Sequence, residues 1–256
     1  MNPLVVDIEA NELLENADTI WCIVAKELGI DEWSYYANTD LDTLQLIQGY
    51  KSVAEYRSLS QFFVFLSQAP FLIFHNGYGY DRALTLKLYP DWQAPHIEDT
   101  FILSSLFEPD RPGGHSLEQW GKDLGLWKQE HEDWSRFSIE MLQRCFRDVE
   151  ITEKVWLPLK KERDSWDWEE AIRIEYTVAK LCAQMQLNGV LLDQEKAREV
   201  LSQINNELDA IDKELQELIP WQVTNKSESG AKMPEVKKPF KKDGSYTAQV
   251  LGWFND

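Results

Sequence analysis

Three cysteines in 256 residues, at positions 22, 145 and 182, are too few, too scattered and odd in number for a disulfide scaffold. Without a Cys-x-x-Cys pair they build no zinc site either, so reduced, partly buried thiols are expected. No apolar run approaches the ~20 residues of a membrane span. Asp7 breaks the N-terminal apolar stretch too early for a signal peptide, so the chain reads as cytosolic. Glycine-rich phosphate loops are missing, which speaks against a dinucleotide or nucleoside triphosphate site. Positive charge is scarce as well: 26 Lys and Arg against 44 Asp and Glu leave a net charge of -18. That balance argues against a polyanion held by basic side chains, unless bound metal ions reverse the local sign.

What is present is apolar and aromatic. Hydrophobic residues make up 43% of the chain and eleven are Trp, enough for one domain of average size with a smaller element attached. Leu4 to Ala10 reads as a buried strand, residues 19–28 as a second and Glu32 to Tyr36 as a third, in an antiparallel meander. Residues 54–68 carry apolar side chains at helical spacing, and Phe71 to Phe74 reads as a fourth strand. His75-Asn76-Gly77 then turns into a helix over 80–87. Asp99-Thr100 starts another helix, Ser116 caps the next, and a long one over 138–157 stops at Pro158. Early antiparallel strands followed by crossover helices predict an α/β fold of the ribonuclease H type, a mixed sheet flanked by helices. Beyond it lies a C-terminal helical extension, one helix over 166–187 and a second capped by Asp193 and running to about 218. Three regions follow: the α/β domain over 1–160, the extension over 161–220, and a basic tail over 221–256 with an apolar end at Val250 to Phe254.

The chemistry concentrates in acids. Alternation along the first strand puts Asp7 and Glu9 on one face, with Val6 and Ile8 on the other. Two acids side by side at a strand end imply a positive partner, and a divalent cation fits best. Hydrolysis of a phosphodiester with two ions needs several carboxylates from separate elements. Asp81, just past the His75-Asn76-Gly77 turn, and Asp148, on the helix over 138–157, are placed to complete such a set.

Together these segments resemble the proofreading 3′–5′ exonuclease domain of family A DNA polymerases, in particular those of T7-like phages, in the DEDD superfamily. The first motif is Asp7-Ile8-Glu9 and the second is IFHNGYGYD over 73–81. Asp99-Thr100, GGHSLEQWG over 113–121 and QLNGVLLD over 186–193 also resemble family segments, so the likeness spans residues 3–193. It implies a metal-dependent 3′–5′ DNA exonuclease in which Asp7, Glu9, Asp81 and Asp148 are the catalytic and metal-ligating residues. Two Mg2+ ions are expected, since an oxygen-only shell suits hard cations, and Mn2+ is expected to substitute. Asn11, His75, Asn76, Arg144 and His115 stand as candidate contacts to a frayed or single-stranded DNA 3′ end. His75 and Asn76 equally suit turn hydrogen bonds, and Asp99 suits either a helix cap or support of the metal site from behind.

The third motif departs from the pattern. The family carries Tyr four positions before the last Asp, or His five before it, and here those positions hold Arg144 and Gln143. Arginine stays charged and cannot accept from water, so it either contacts phosphate or has lost the old role. The likeness ends where the polymerase module of such enzymes begins. This implies a split polymerase, in which the chain serves as proofreading subunit in the host cytoplasm. It would dock on a separate family A polymerase chain through residues 166–218 and the tail, without a membrane. A freestanding nuclease, or a weakened accessory subunit that binds DNA or a polymerase, is the alternative.

Overall fold

The computed structural model describes residues 1–50, 54–128 and 131–218. The first three strands, β1 (Leu4–Ala10), β2 (Ile20–Glu27) and β3 (Trp33–Ala37), form the expected antiparallel meander. Helix α1 (Leu41–Tyr50), strand β4 (Ala54–Tyr56) and helix α2 (Leu59–Ser67) follow. Residues 54–56 are therefore strand where the periodicity predicted helix. They pair parallel with β3, and Ser58 opens α2 with its N–H donating to Gln61 Oε1 at 3.0 Å. Strand β5 (Phe71–Phe74) leads to α3 (Asp81–Leu88), and β6 (His96–Asp99) to α4 (Thr100–Phe107). Then come α5 (Leu117–Asp123), α6 (Ile139–Ser165), α7 (Glu169–Asn188) and α8 (Gln194–Leu218). The sheet runs β4-β3-β2-β1-β5-β6, so the sequence reading missed both outer strands, which are only three and four residues long. The class is as expected: a mixed six-stranded sheet with flanking helices.

Strand β1 lies mid-sheet, and its apolar side chains Leu4, Val5, Val6 and Ile8 are buried. It pairs antiparallel with β2 along its length and parallel with β5 at Leu4 and Val5. Beyond β5, the Ile8 N–H donates to Asp81 Oδ1 at 3.1 Å. The C-terminal end of β1 is thus open on one side, the usual place for a site in a sheet with parallel strands. A register shift between Glu9 and Ala10 re-aims the strand there.

Helix α6 covers the sheet with a buried stripe, Met141, Cys145, Val149, Thr152, Trp156 and Leu159, and Asp148 belongs to it. It continues through Pro158, where the sequence predicts its end. An internal proline costs ~3 kcal/mol, and the buried Trp156 and Leu159 on either side of it oppose that cost.

Contacts divide the chain into two compact units, Met1–Val190 and Leu191 onward. Residue 160, where the sequence suggests a boundary, falls inside unbroken α6, and α7 packs in the first unit by ring contacts of Tyr176 with Tyr78 and of Trp168 with Phe107. In the second unit, Asp193 Oδ1 accepts from the Lys196 N–H at 2.9 Å and caps α8, as expected. Residues 221–256, the predicted tail, lie outside the described residues. Cys22 and Cys145 are buried and Cys182 exposed, all as free thiols. Among the described residues no helix is long and apolar enough to cross a membrane.

Candidate metal centre

The end of β1, the start of α3 and one turn of α6 enclose a cleft of about 250 Å³. Asp7, Glu9, Asp81 and Asp148 all line it, together with His75, Asn76 and Arg144. One carboxylate oxygen each from Asp7, Glu9 and Asp148 lies within 4.8 Å of the others. Asp81 shares the cleft but stands outside that cluster, with Oδ1 engaged by the Ile8 N–H.

Burial raises the carboxyls of Asp7, Glu9 and Asp81 well above the ordinary range, and like-charge neighbours push further: Asp148 on Asp7, and Asp7 on Glu9 and Asp81. Asp7 reaches about 7. Asp148 is also raised by burial, against the pull of Lys128. Two buried oxygens, Asp7 Oδ2 and Asp148 Oδ1, have no hydrogen-bond partner. Orphaned carboxylate oxygens are costly in a folded interior. An oxygen-only donor set with two idle lone-pair carriers fits a hard divalent cation.

Two cations stand against these acids. Arg144 Nε lies 3.5 Å from Glu9 Oε1 and 3.9 Å from Asp148 Oδ2, with its guanidinium 5.7 Å from the Trp134 ring. Arg144 therefore faces the carboxylates and is not an exposed relic. Lys128, which the sequence reading did not single out, places Nζ 2.7 Å from Asp148 Oδ2 and is itself largely buried. It sits in an irregular stretch between α5 and α6 with no motif around it, so only the tertiary fold reveals it.

The wall opposite β1 is the His75-Asn76-Gly77 turn. Asn76 takes a left-handed φ of 64°, and a Cβ on Gly77 would fall 2.4 Å from that of Phe74, so the turn requires glycine there. Asp99 holds it: its oxygens accept from the N–H groups of Asn76, Tyr78 and Phe101 at 3.0 Å each and of Ile102 at 3.3 Å. Both readings of Asp99 meet here, since it caps α4 and fixes the turn behind the acids.

Thr100 Oγ1 donates to the Phe74 carbonyl at 3.1 Å, which leaves it to accept from His75 Nδ1 at 2.9 Å. That network puts the ring proton on Nδ1 and leaves the buried Nε2 an acceptor without a partner. Burial lowers the His75 pKa to about 3, so the ring is neutral.

The remaining candidates lie at the margins. Asn11 spends its amide on Asp18 and Thr19 and borders a neighbouring groove of about 510 Å³ with Glu12, Tyr80 and Trp134. His115 is outside the cleft: its Nδ1 meets Ser104 Oγ at 2.7 Å, and its ring meets Phe101, which in turn meets His75. Of the two tyrosines after the turn, Tyr78 is locked by its hydroxyl, which donates to the Ile97 carbonyl at 3.1 Å. Tyr80 lines the cleft, with its hydroxyl donating to the Glu12 carbonyl at 2.7 Å.

No family model matches the chain. Among solved structures it shares its fold with a nuclease in apo form (TM-score 0.53, 17% identity, 73% of this chain and 86% of that one). NrnC of Brucella melitensis gives a TM-score of 0.52 at 16% identity, over 74% of this chain and 87% of that one. The fold is thus the ribonuclease H-like one of these nucleases. In sequence the chain is similar to the DNA-directed DNA polymerase of Escherichia phage T7, 26% identical over 259 residues and 77% of this chain, and equally to that of Enterobacteria phage T3. The resemblance drawn from the motifs stands on these matches. The chain spans about a third of the length of those polymerases, 34%.

Proposed function

We propose that the chain is a metal-dependent 3′–5′ DNA exonuclease, and that it trims frayed 3′ ends for a separate family A polymerase in the host cytoplasm. The observation that carries this reading is the pair of orphaned, buried oxygens on Asp7 and Asp148 within a three-acid cluster at the open end of β1. Asp7, Glu9 and Asp148 would hold Mg2+, or Mn2+ in its place, with Asp81 supporting them from α3. When bound, the ion supplies an activated water and neutralises charge on the scissile phosphate.

The chain's own residues set the rest. Asp81 fixes the end of β1 through the Ile8 N–H, so Asp7 and Glu9 keep their spacing. Arg144 lies among the acids as a fork of donors suited to a phosphate oxygen, and it cannot take a proton from water. Buried, neutral His75 offers Nε2 as an acceptor to a hydroxyl of the terminal nucleotide, a group every DNA 3′ end carries. Stacking on the exposed Phe101 or on Trp134 would hold the base without reading it.

The test is incubation of the purified chain with 5′-labelled single-stranded DNA and Mg2+ or Mn2+. Stepwise shortening from the 3′ end, lost in Asp7→Ala, is expected. Intact DNA with either ion and a folded protein would refute the reading. That result would favour the second one, a weakened accessory subunit, to which the ion pairs of Lys128 and Arg144 with the site acids lend support. Co-elution with a family A polymerase that has no nuclease domain tests the partner.

A further inference from the structure

We propose that Lys87 of α3 is a positioning residue for the DNA strand: it fixes the loop between β1 and β2, so that the groove beside the acid cleft is formed before DNA arrives. The inference rests on the exonuclease reading above and names a residue outside the cleft. Three observations carry it.

Lys87 Nζ donates to the carbonyl oxygens of Leu14 at 2.9 Å, Glu15 at 2.8 Å and Ala17 at 2.7 Å. An ammonium has three protons and no lone pair, so every donor is spent on the loop and none is left for a phosphate. A lysine in a protein that holds DNA would ordinarily be read as a phosphate contact, and these bonds point away from that role. Next, the loop is closed on itself and pinned a second time. The N–H groups of Asn16 and Ala17 donate to the Leu13 carbonyl at 3.0 and 2.8 Å, and the Tyr80 hydroxyl, from the start of α3, takes the Glu12 carbonyl at 2.7 Å. The carbonyls of residues 12 to 15 are thus all engaged, in a stretch with no regular structure to hold it. Finally, this loop is a wall of the groove of about 510 Å³, which Glu9 and Tyr80 join to the acid cleft. Leu13 in that wall is 73% exposed, so the bonds to α3 and the burial of the neighbouring Leu14 set where it stands. A loop without those bonds would have to be ordered when the strand binds, which weakens binding and leaves the step at the acids alone.

The experiment combines hydrogen exchange on the full chain with steady-state cleavage of 5′-labelled single-stranded DNA. Should the wild type hold DNA without cutting it, affinity by fluorescence anisotropy takes the place of KM, so the inference is judged even where the nuclease reading fails. The amides of residues 16–19 should exchange slowly in the wild type and fast in Lys87→Met, which keeps the length and loses the donors. In that variant KM should rise about tenfold with kcat within about twofold of the wild type. The slope of log KM against log salt should not change, whereas loss of a phosphate contact would lower it by about 0.7. Treating Lys87→Cys with 2-bromoethylamine rebuilds an ammonium of lysine length and should restore KM, in a Cys182→Ser background because that thiol is exposed. Fast exchange of those amides in the wild type would overturn the inference, whether or not Lys87→Met folds. An unchanged KM in a folded Lys87→Met, or a lowered salt slope, would overturn it and leave the nuclease reading intact. A wild type that neither binds nor cuts DNA would remove both.

Discussion

Two groups of buried acids sit in the first unit, and they are built on opposite terms. Around Asp99 and Glu98 every carboxylate oxygen is engaged. Asp99 accepts four backbone N–H groups, and Glu98 takes the Tyr176 hydroxyl at 2.9 Å, His96 Nε2 at 2.9 Å and an Arg163 guanidinium. Around Asp7 and Asp148, two oxygens have nothing. Burial lifts Asp99 only to about 6 because the four N–H groups oppose it, so it is ionised at neutral pH, whereas Asp7 stands at about 7. Glu98 ends below its ordinary value: burial pushes it up, and His96, Arg163 and Tyr176 together outweigh that push. Acids of the same kind thus form one cluster in which every oxygen is engaged and one in which two oxygens are left without a partner. The first holds the turn that walls the second.

Substitutions should separate the two clusters. Asp99→Ala strips a charged acceptor from four backbone donors and should destabilise the fold by about 4 kcal/mol, at roughly 1 kcal/mol or more per bond. Urea denaturation with unchanged slope checks it. Asp7→Ala relieves like-charge repulsion and should leave the metal-free fold as stable or more stable while cleavage is lost. Equal destabilisation by both would erase the distinction.

Tyr176→Phe is the milder probe. It removes the donor to Glu98 Oε2 and the acceptor for the Asp99 N–H at 3.0 Å, and should cost about 2 kcal/mol. Metal-dependent cleavage per folded molecule should survive.

Proton competition gives the smallest effect, about 1.4 kcal/mol per pH unit. The Asp7 carboxyl, raised to about 7 from an ordinary 3.8, binds its proton more tightly in the folded state. Its contribution to metal-free stability is therefore present at low pH and lost as pH rises from about 4 through 7. The ion must displace that proton, so Mn2+ affinity should fall about tenfold for each unit below pH 7. Glu98 has the opposite sign, contributing stability above its ordinary range that disappears as pH falls. Calorimetric unfolding followed from below pH 4 to pH 8 distinguishes them, with the Glu98 change confined to the range below 4.5.

The placing of the four cleft acids was largely legible in the sequence. Strand alternation placed Asp7 and Glu9 on one face, and the His75-Asn76-Gly77 turn announced the approach of Asp81. Helical spacing put Asp148 inward, and the fold class followed from the order of strands and helices. Lys128 was not legible, because a lysine in an irregular stretch has no periodicity to say where its long side chain ends. The strands at 54–56 and 96–99 are too short to alternate visibly. Pro158 misled for a different reason: burial of Trp156 and Leu159 overrides a local breaker, and burial is a tertiary fact. Glu98 gave no sign that it would anchor α7 through Tyr176, since that contact joins residues 78 positions apart.

Thermal unfolding of the wild type and of Asp7→Asn, each with and without Mn2+, tests the claim that the orphaned oxygens make a cation site. A ligand that binds only the folded state stabilises it by about 2.7 kcal/mol at a hundred times its dissociation constant. The wild type should gain several degrees with Mn2+, and Asp7→Asn, already relieved of one buried charge, should gain almost nothing. Equal shifts in both proteins, or none in the wild type, would contradict the claim.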